Sequence, residues 1–163
     1  MGIAFVFLKL NPRIKYIVVD LPLSLWTAQN YLSQVLSDRR ILKFRHFEKF
    51  HEIRDQFENS DIVFITPNQL ELLPNKVSDL FLNISSLHEM RIDTLEYYFA
   101  QIDRVTKGYF YFKQWKTSVI PFENIVVGEQ EYPVPQDWKR LYHRDCIFPS
   151  TFFEAMYLVG NSP

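Results

Sequence analysis

Glycine is scarce in this chain. Only Gly2, Gly108, Gly128 and Gly160 occur among 163 residues, where ordinary usage of about 7% would supply roughly eleven. No two lie close together. That excludes a phosphate-cradling P-loop and a complete dinucleotide loop, because both need clustered glycines that let backbone N–H groups approach the ligand. Cysteine is nearly absent as well. Cys146 stands alone, which excludes an internal disulfide framework and any Cys-rich zinc or iron–sulfur site, and suits a reducing compartment with the cytoplasm as the default. Neither sign of charge is in excess: 18 Lys+Arg stand against 19 Asp+Glu, a net charge of −1. Bulk composition therefore offers no electrostatic footprint for nucleic acid. Long hydrophobic runs are also missing. The opening Ile3-Ala4-Phe5-Val6-Phe7-Leu8 stretch is too short to span a membrane and lacks the basic leader and cleavage site of a signal peptide. His46, His51 and His143 have no neighbours at metal-ligand spacing, so no metal site is expected.

Hydrophobic residues make up 47% and charged residues 23% of the chain, the balance of a globular protein rather than a disordered one. A chain of this length buries roughly 70% of its unfolded surface as a single domain, and no linker, repeat or low-complexity tract divides residues 1–163.

The apolar stretch to Leu10 reads as a helix, stopped by Asn11-Pro12. Tyr16-Ile17-Val18-Val19-Asp20 then has the β-branched character of a strand buried on both faces. Leu25, Ala28, Leu32, Val35 and Leu36 recur at helical spacing, with Ser24 as the expected N-cap. Ile41 to Phe44 suits a short strand. Arg45 to Ser60 carries Phe47, Phe50, Ile53 and Phe57 at spacings that predict an amphipathic helix. Strands are expected again at Asp61–Thr66 and Val77–Ile84, with a connector from Leu70 to Pro74. Ile92, Leu95, Tyr98, Phe99, Ile102 and Val105 predict a helix of about four turns capped by Gly108, followed by a strand at Tyr109–Phe112. Beyond Lys113 the spread of Pro121, Pro133, Pro135 and Pro149 favours loops and edge strands, with a closing strand at Phe152–Val159. The alternation through residue 112 predicts a doubly wound, mostly parallel α/β sheet with an antiparallel addition at one edge.

In such sheets ligands bind beyond the carboxyl ends of the strands. The polar residues so placed are Asp20, Thr66 to Gln69, Asn83 to Glu89 and Lys113 to Lys116. Asp20 follows Gly2 by 18 residues, near the spacing at which an acidic side chain accepts hydrogen bonds from a ribose. A helix-capping or solvated strand-end role fits that spacing equally well. His88 and Glu89, with Asn83, Ser85 and Ser86, form a general-base candidate for a substrate hydroxyl. The competing reading has Glu89 cap the helix that begins near Arg91. Cys146 is expected to pack as a small hydrophobe. The aromatic series Tyr109 to Phe112 suits core packing, whereas Trp115, between Gln114 and Lys116, is placed near a ligand.

The ordered set Lys15-Tyr-Ile-Val-Val-Asp20-Leu-Pro22, Ala28-Gln29-Asn30-Tyr31-Leu32, Asp61-Ile-Val-Phe-Ile-Thr-Pro67 and Asp79-Leu-Phe-Leu-Asn83-Ile-Ser-Ser-Leu-His-Glu89-Met90 resembles the sugar O-methyltransferases. These are a branch of the class I S-adenosylmethionine-dependent methyltransferases, with a Rossmann-like sheet. The resemblance covers residues 2 to about 116, and Phe148 to Tyr157 more loosely. It implies a seven-stranded sheet ending in an antiparallel hairpin, S-adenosylmethionine as cofactor, and a sugar or other small polar hydroxyl compound as acceptor. Asp20 would hold the ribose, Thr66, Asn68 and Gln69 would border the adenine, and Asn83 and Ser85 would line the methionine side. Glu89 and His88 would face the acceptor. Family members open with a strand and an E-x-G-x-G-x-G-like loop, of which only Gly2 remains to meet the carboxypropyl end. The first strand and glycine loop are therefore expected to be missing, as in a truncated product or fragment whose sheet lacks a neighbour beside Tyr16–Asp20. Two other readings are a non-catalytic remnant that self-associates through that exposed edge and a fragment of a nicotinamide-dependent dehydrogenase, the latter if the C-terminal strands are parallel.

Overall fold

Local patterning sets most of the elements, and tertiary contacts decide where each begins and stops. A computed structural model describes residues 2–120 and 125–160, so Pro121 of the C-terminal loops lies outside the described residues. The chain divides into two compact units, Met1–Leu73 and Pro74–Pro163.

The first unit contains α1 (Gly2–Leu10), β1 (Tyr16–Val19), α2 (Pro22–Val35), β2 (Ile41–Leu42), α3 (Arg54–Asn59) and β3 (Ile62–Ile65). The strands pair in the order β1-β3-β2, all parallel. Alternation along β3 sends Ile62 and Phe64 into a core with Ala4 and Leu8 of α1, Leu25, Ala28 and Leu32 of α2, and Leu36. All four β3 residues are buried. The four of β1 are only half-buried, contrary to the expectation of burial on both faces. The reason is position: β3 is central, whereas β1 pairs on one edge alone among the described residues. Lys15 ties the start of β1 to the end of α3. Its ammonium donates to the carbonyls of Glu58 and of Phe57, which also accepts from the Ser60 N–H at the helix C-terminus, and burial lowers its pKa from the ordinary value.

Two further expectations fail in this unit. The first is the N-cap of α2, which is Leu21 rather than Ser24, because Pro22 at the first helical position already starts the helix. The second is the helix over Arg45–Ser60, which is instead an extended segment, a 3-10 turn at Phe50–Glu52 and the short α3. Side chains from elsewhere take up that backbone: Gln29 Oε1 accepts from the Phe44 N–H at 2.7 Å, and Gln69 Nε2 donates to the Arg45 carbonyl at 2.8 Å.

The second unit contains β4 (Ser78–Ile84), α4 (Ile92–Val105), β5 (Thr106–Trp115), β6 (Thr117–Ile120), β7 (Ile125–Gly128), β8 (Lys139–Asp145) and β9 (Phe152–Leu158). Strand order is β4-β5-β9-β8, with β6-β7 as a separate ribbon. β4 and β5 are parallel, whereas β5-β9 and β9-β8 are antiparallel. Leu95, Phe99 and Ile102 of α4 pack on Phe110 and Phe112 of β5 and on Phe153, Ala155 and Tyr157 of β9, with Tyr132 and Trp138 closing the cluster. Trp138 Nε1 donates to Asp103 Oδ1 at 2.8 Å, satisfying the indole as it buries. Cys146 is buried.

Gly108 does not cap α4. The helix ends at Val105, with Thr106 as its C-cap, and the chain enters β5 directly. Gly108 sits where a register shift in β4 between Ser78 and Leu80 brings the Asp79 carbonyl close, and a Cβ there would lie 2.3 Å from that oxygen. Across β5, β9 and β8, Glu154 accepts from the Tyr111 hydroxyl at 2.8 Å and from Arg144 Nε at 2.7 Å. The Tyr111 hydroxyl first, and the Arg144 guanidinium after it, hold this carboxyl below its ordinary 4.5.

The two strand-level devices give two expectations. Gly108→Ala loses about 1–3 kcal/mol in urea denaturation, because β4 backbone and not a flexible side chain must move. Since Glu154 has a depressed folded pKa, its contribution is present above pH 4.5 and lost as pH falls through the folded value. Glu154→Gln should therefore lower the melting temperature at neutral pH and flatten its decline below pH 4.5, which a melting series across pH reads directly.

Candidate active site

The polar residues singled out in the sequence lie at the carboxyl ends of parallel strands in each unit. In the first unit Asp20 follows β1 and is exposed. Its Oδ1 accepts from the Leu21 N–H at 2.8 Å, which leaves Oδ2 for a ligand. Thr66 and Gln69 follow β3 and are buried, while Asn68 is exposed. Gln69 Oε1 accepts from the Thr66 N–H at 3.1 Å, and the Thr66 hydroxyl donates to Asn68 Oδ1 at 2.7 Å. With its Nε2 on Arg45, the Gln69 amide is thus consumed at both ends in shaping the turn. Gly2 opens α1, and a Cβ there would meet nothing within 4 Å. No close approach requires a glycine at that position.

In the second unit the end of β4 builds a denser cluster. Ser85 takes a left-handed conformation, φ 58°, a region that a non-glycine residue enters at a cost of about 1 kcal/mol. Its N–H donates to the Lys113 carbonyl of β5 at 2.9 Å. The chain then turns into the 3-10 segment Leu87–Glu89. Asn83 Oδ1 accepts from the Ser86 hydroxyl at 3.0 Å and from Gln114 Nε2 at 2.7 Å. Gln114 Oε1 in turn meets His88 Nδ1 at 3.0 Å and the His88 N–H at 3.3 Å. The Ser118 hydroxyl of β6 donates to the His88 carbonyl.

The His88 ring is walled by Trp115, with centroids 5.6 Å apart, and by Phe152 at 6.5 Å. Its outer nitrogen, Nε2, stands 3.7 Å from Glu89 Oε1. His88 is buried and Glu89 exposed, so the pair runs from the interior to solvent. Glu89 does not cap α4, whose N-cap is Arg91 and whose first turn holds Asp93, with Asp93 Oδ1 accepting from the Thr94 N–H. The pairing of a buried imidazole with an exposed carboxylate can accept a proton from a hydroxyl and stabilise the resulting cation.

Gln114 has no assigned role in the sequence reading beyond its place in Lys113–Lys116. Alternation gives the missing signal: Phe110, Phe112 and Gln114 share one face of β5, so a strand that buries both phenylalanines buries the amide too. Among the described residues no group of three or more His, Cys, Asp or Glu side chains is arranged to hold a metal ion. No helix among them is long and apolar enough to cross a membrane.

No protein-family model matches the chain, and no curated protein matches it. The chain is similar in structure to the PH0226 protein from Pyrococcus horikoshii OT3. The TM-score is 0.53 at 15% identity, covering 96% of this chain and 87% of that one. A second likeness is to a "putative type 11 methyltransferase" from Sulfolobus solfataricus, at TM-score 0.47 and 15% identity over 91% of this chain and 86% of that one. The likeness to the PH0226 protein shows a shared mixed α/β fold.

Proposed function

We propose that this chain carries the fold and acceptor-side residues of an S-adenosylmethionine-dependent O-methyltransferase acting on a sugar or other small polar hydroxyl compound. One observation carries the reading: His88 and Glu89, 3.7 Å apart, at the carboxyl end of a parallel strand. Supporting it are the ordered motifs from Lys15 to Met90 and a parallel β4-β5 pair closed by the antiparallel β9 and β8. The antiparallel closure also argues against the dehydrogenase reading, which asks for parallel strands there.

The cofactor supplies an electrophilic methyl group when bound. Among the described residues Asp20 fits its ribose end, because one carboxylate oxygen is exposed and uncommitted. Ser85, exposed in its left-handed turn, is the residue that the resemblance assigns to the methionine side. Gln69 and Asn83 have their side chains engaged internally and would act by shaping the turns that border the ligand. Gly2 offers no cradle for the carboxypropyl end. On the acceptor side His88 takes the hydroxyl proton and Glu89 stabilises the imidazolium. A net charge of −1 suits a small acceptor better than nucleic acid.

One observation favours a second reading, a non-catalytic interaction module. β1 and β4 each pair on one edge only among the described residues, and open strand edges recruit other strands.

Calorimetric titration of S-adenosylmethionine tests the first reading, with this chain and with one extended upstream through an encoded glycine loop. Saturable binding by either form is expected, and Asp20→Ala should weaken it at least about tenfold, the loss of a charge-assisted hydrogen bond, with unchanged circular dichroism. Binding by neither form contradicts methyl transfer. Concentration-dependent dimerisation without cofactor binding would then favour the interaction module.

A further inference from the structure

We propose that Gln114 is a positioning residue that holds His88 in the tautomer with its proton on Nδ1, so that Nε2 is the nitrogen that accepts a proton. The catalytic consequence rests on the O-methyl transfer reading, whereas the tautomer itself does not.

Two backbone groups whose polarity cannot change fix the direction of the Gln114 amide. A carboxamide presents an acceptor at one end and donors at the other, and the side chains around it normally leave its orientation open. Here the His88 backbone N–H, a donor only, stands 3.3 Å from one end of the Gln114 amide. The Asn83 backbone carbonyl, an acceptor only, stands 3.4 Å from the other. Reversing the amide would set donor against donor and acceptor against acceptor. Gln114 is fully buried, so no water relieves either clash, and each unmade bond costs about 1–3 kcal/mol. The oxygen therefore faces His88.

That oxygen also lies 3.0 Å from His88 Nδ1, and since it can only accept, Nδ1 must carry the hydrogen. On a neutral ring the lone pair is then left on Nε2, the nitrogen that faces Glu89 and the exposed side. Packing between Trp115 and Phe152 keeps the ring in this orientation. Asn83 completes the device. With its Oδ1 accepting from both Ser86 and Gln114 Nε2, it anchors the donor end of the amide, giving a relay of fixed polarity from Ser86 to His88.

Long-range proton–nitrogen correlation spectra of the histidine-labelled protein, recorded at a pH where the rings are neutral, read the tautomer directly. The His88 signals are assigned by their loss in His88→Gln. The expected result is a bare Nε2 and a protonated Nδ1, against the Nε2–H form that free imidazole side chains prefer. In Gln114→Leu the Nδ1–H to Nε2–H ratio should fall about tenfold, the factor imposed by a hydrogen bond of ~1.4 kcal/mol. A predominantly Nε2–H ring in the unaltered protein overturns the inference without any variant. An unchanged ratio in folded Gln114→Leu overturns the role of Gln114. Either failure leaves S-adenosylmethionine binding, and hence the methyl transfer reading, untouched. Failure to bind the cofactor would conversely leave the tautomer standing.

Discussion

The side-chain amide of Gln114 is the joint on which the candidate site depends. It lies on the buried face of β5 and reaches both the end of β4, through Asn83, and the 3-10 turn after it, through His88. A buried amide makes its hydrogen bonds or costs about 1–3 kcal/mol, so these three segments are held to one arrangement. The left-handed Ser85 belongs to the same constraint. Its N–H is taken by the Lys113 carbonyl, one residue before Gln114, so the turn is secured by the strand that carries the amide.

Packing beneath this joint makes it rigid. Phe110 and Phe112 precede Gln114 on the same face and sit among Phe99, Tyr132, Phe153 and Tyr157, a cluster in which removing one phenylalanine costs about 3–5 kcal/mol. The amide is thus the last layer of an aromatic core, and His88, Trp115 and Phe152 are the first layer beyond it. Chemistry becomes available where the core turns polar. The same logic in the first unit is weaker, since Gln69 spends its amide on the Thr66 turn and on Arg45, leaving Asp20 as the polar group with an open oxygen.

Periodicity made much of this legible. The helices containing Leu25-Ala28-Leu32 and Leu95-Phe99-Ile102 follow from local spacing because each buries a face that its own sequence marks, and the strands at Tyr16, Ile62, Ser78 and Phe152 follow from short apolar runs. Apart from the start of α2, which Pro22 sets locally, each expectation that fails is overruled by a distant group. Phe47, Phe50, Ile53 and Phe57 have helical spacing, yet the backbone at Phe44 and Arg45 is claimed by Gln29 and Gln69. Gly108 has the look of a helix cap, and its role comes from the Asp79 carbonyl across the sheet. Tyr16–Val19 and Ile62–Ile65 read alike as sequence, and strand order alone makes one an edge and the other the centre. His88 and Glu89 were visible as candidates, but the amide that orients the imidazole was not, because a glutamine in line with two phenylalanines carries no motif.

A double-mutant cycle on Asn83 and Gln114 measures the joint most directly, with Asn83→Ala, Gln114→Ala and the double variant each unfolded in urea. Groups that meet in one buried network are coupled, and a coupling energy of at least about 1 kcal/mol is expected. Additivity within about 0.3 kcal/mol would contradict it, because the amide would then be held by its surroundings rather than by the bond that sets its direction.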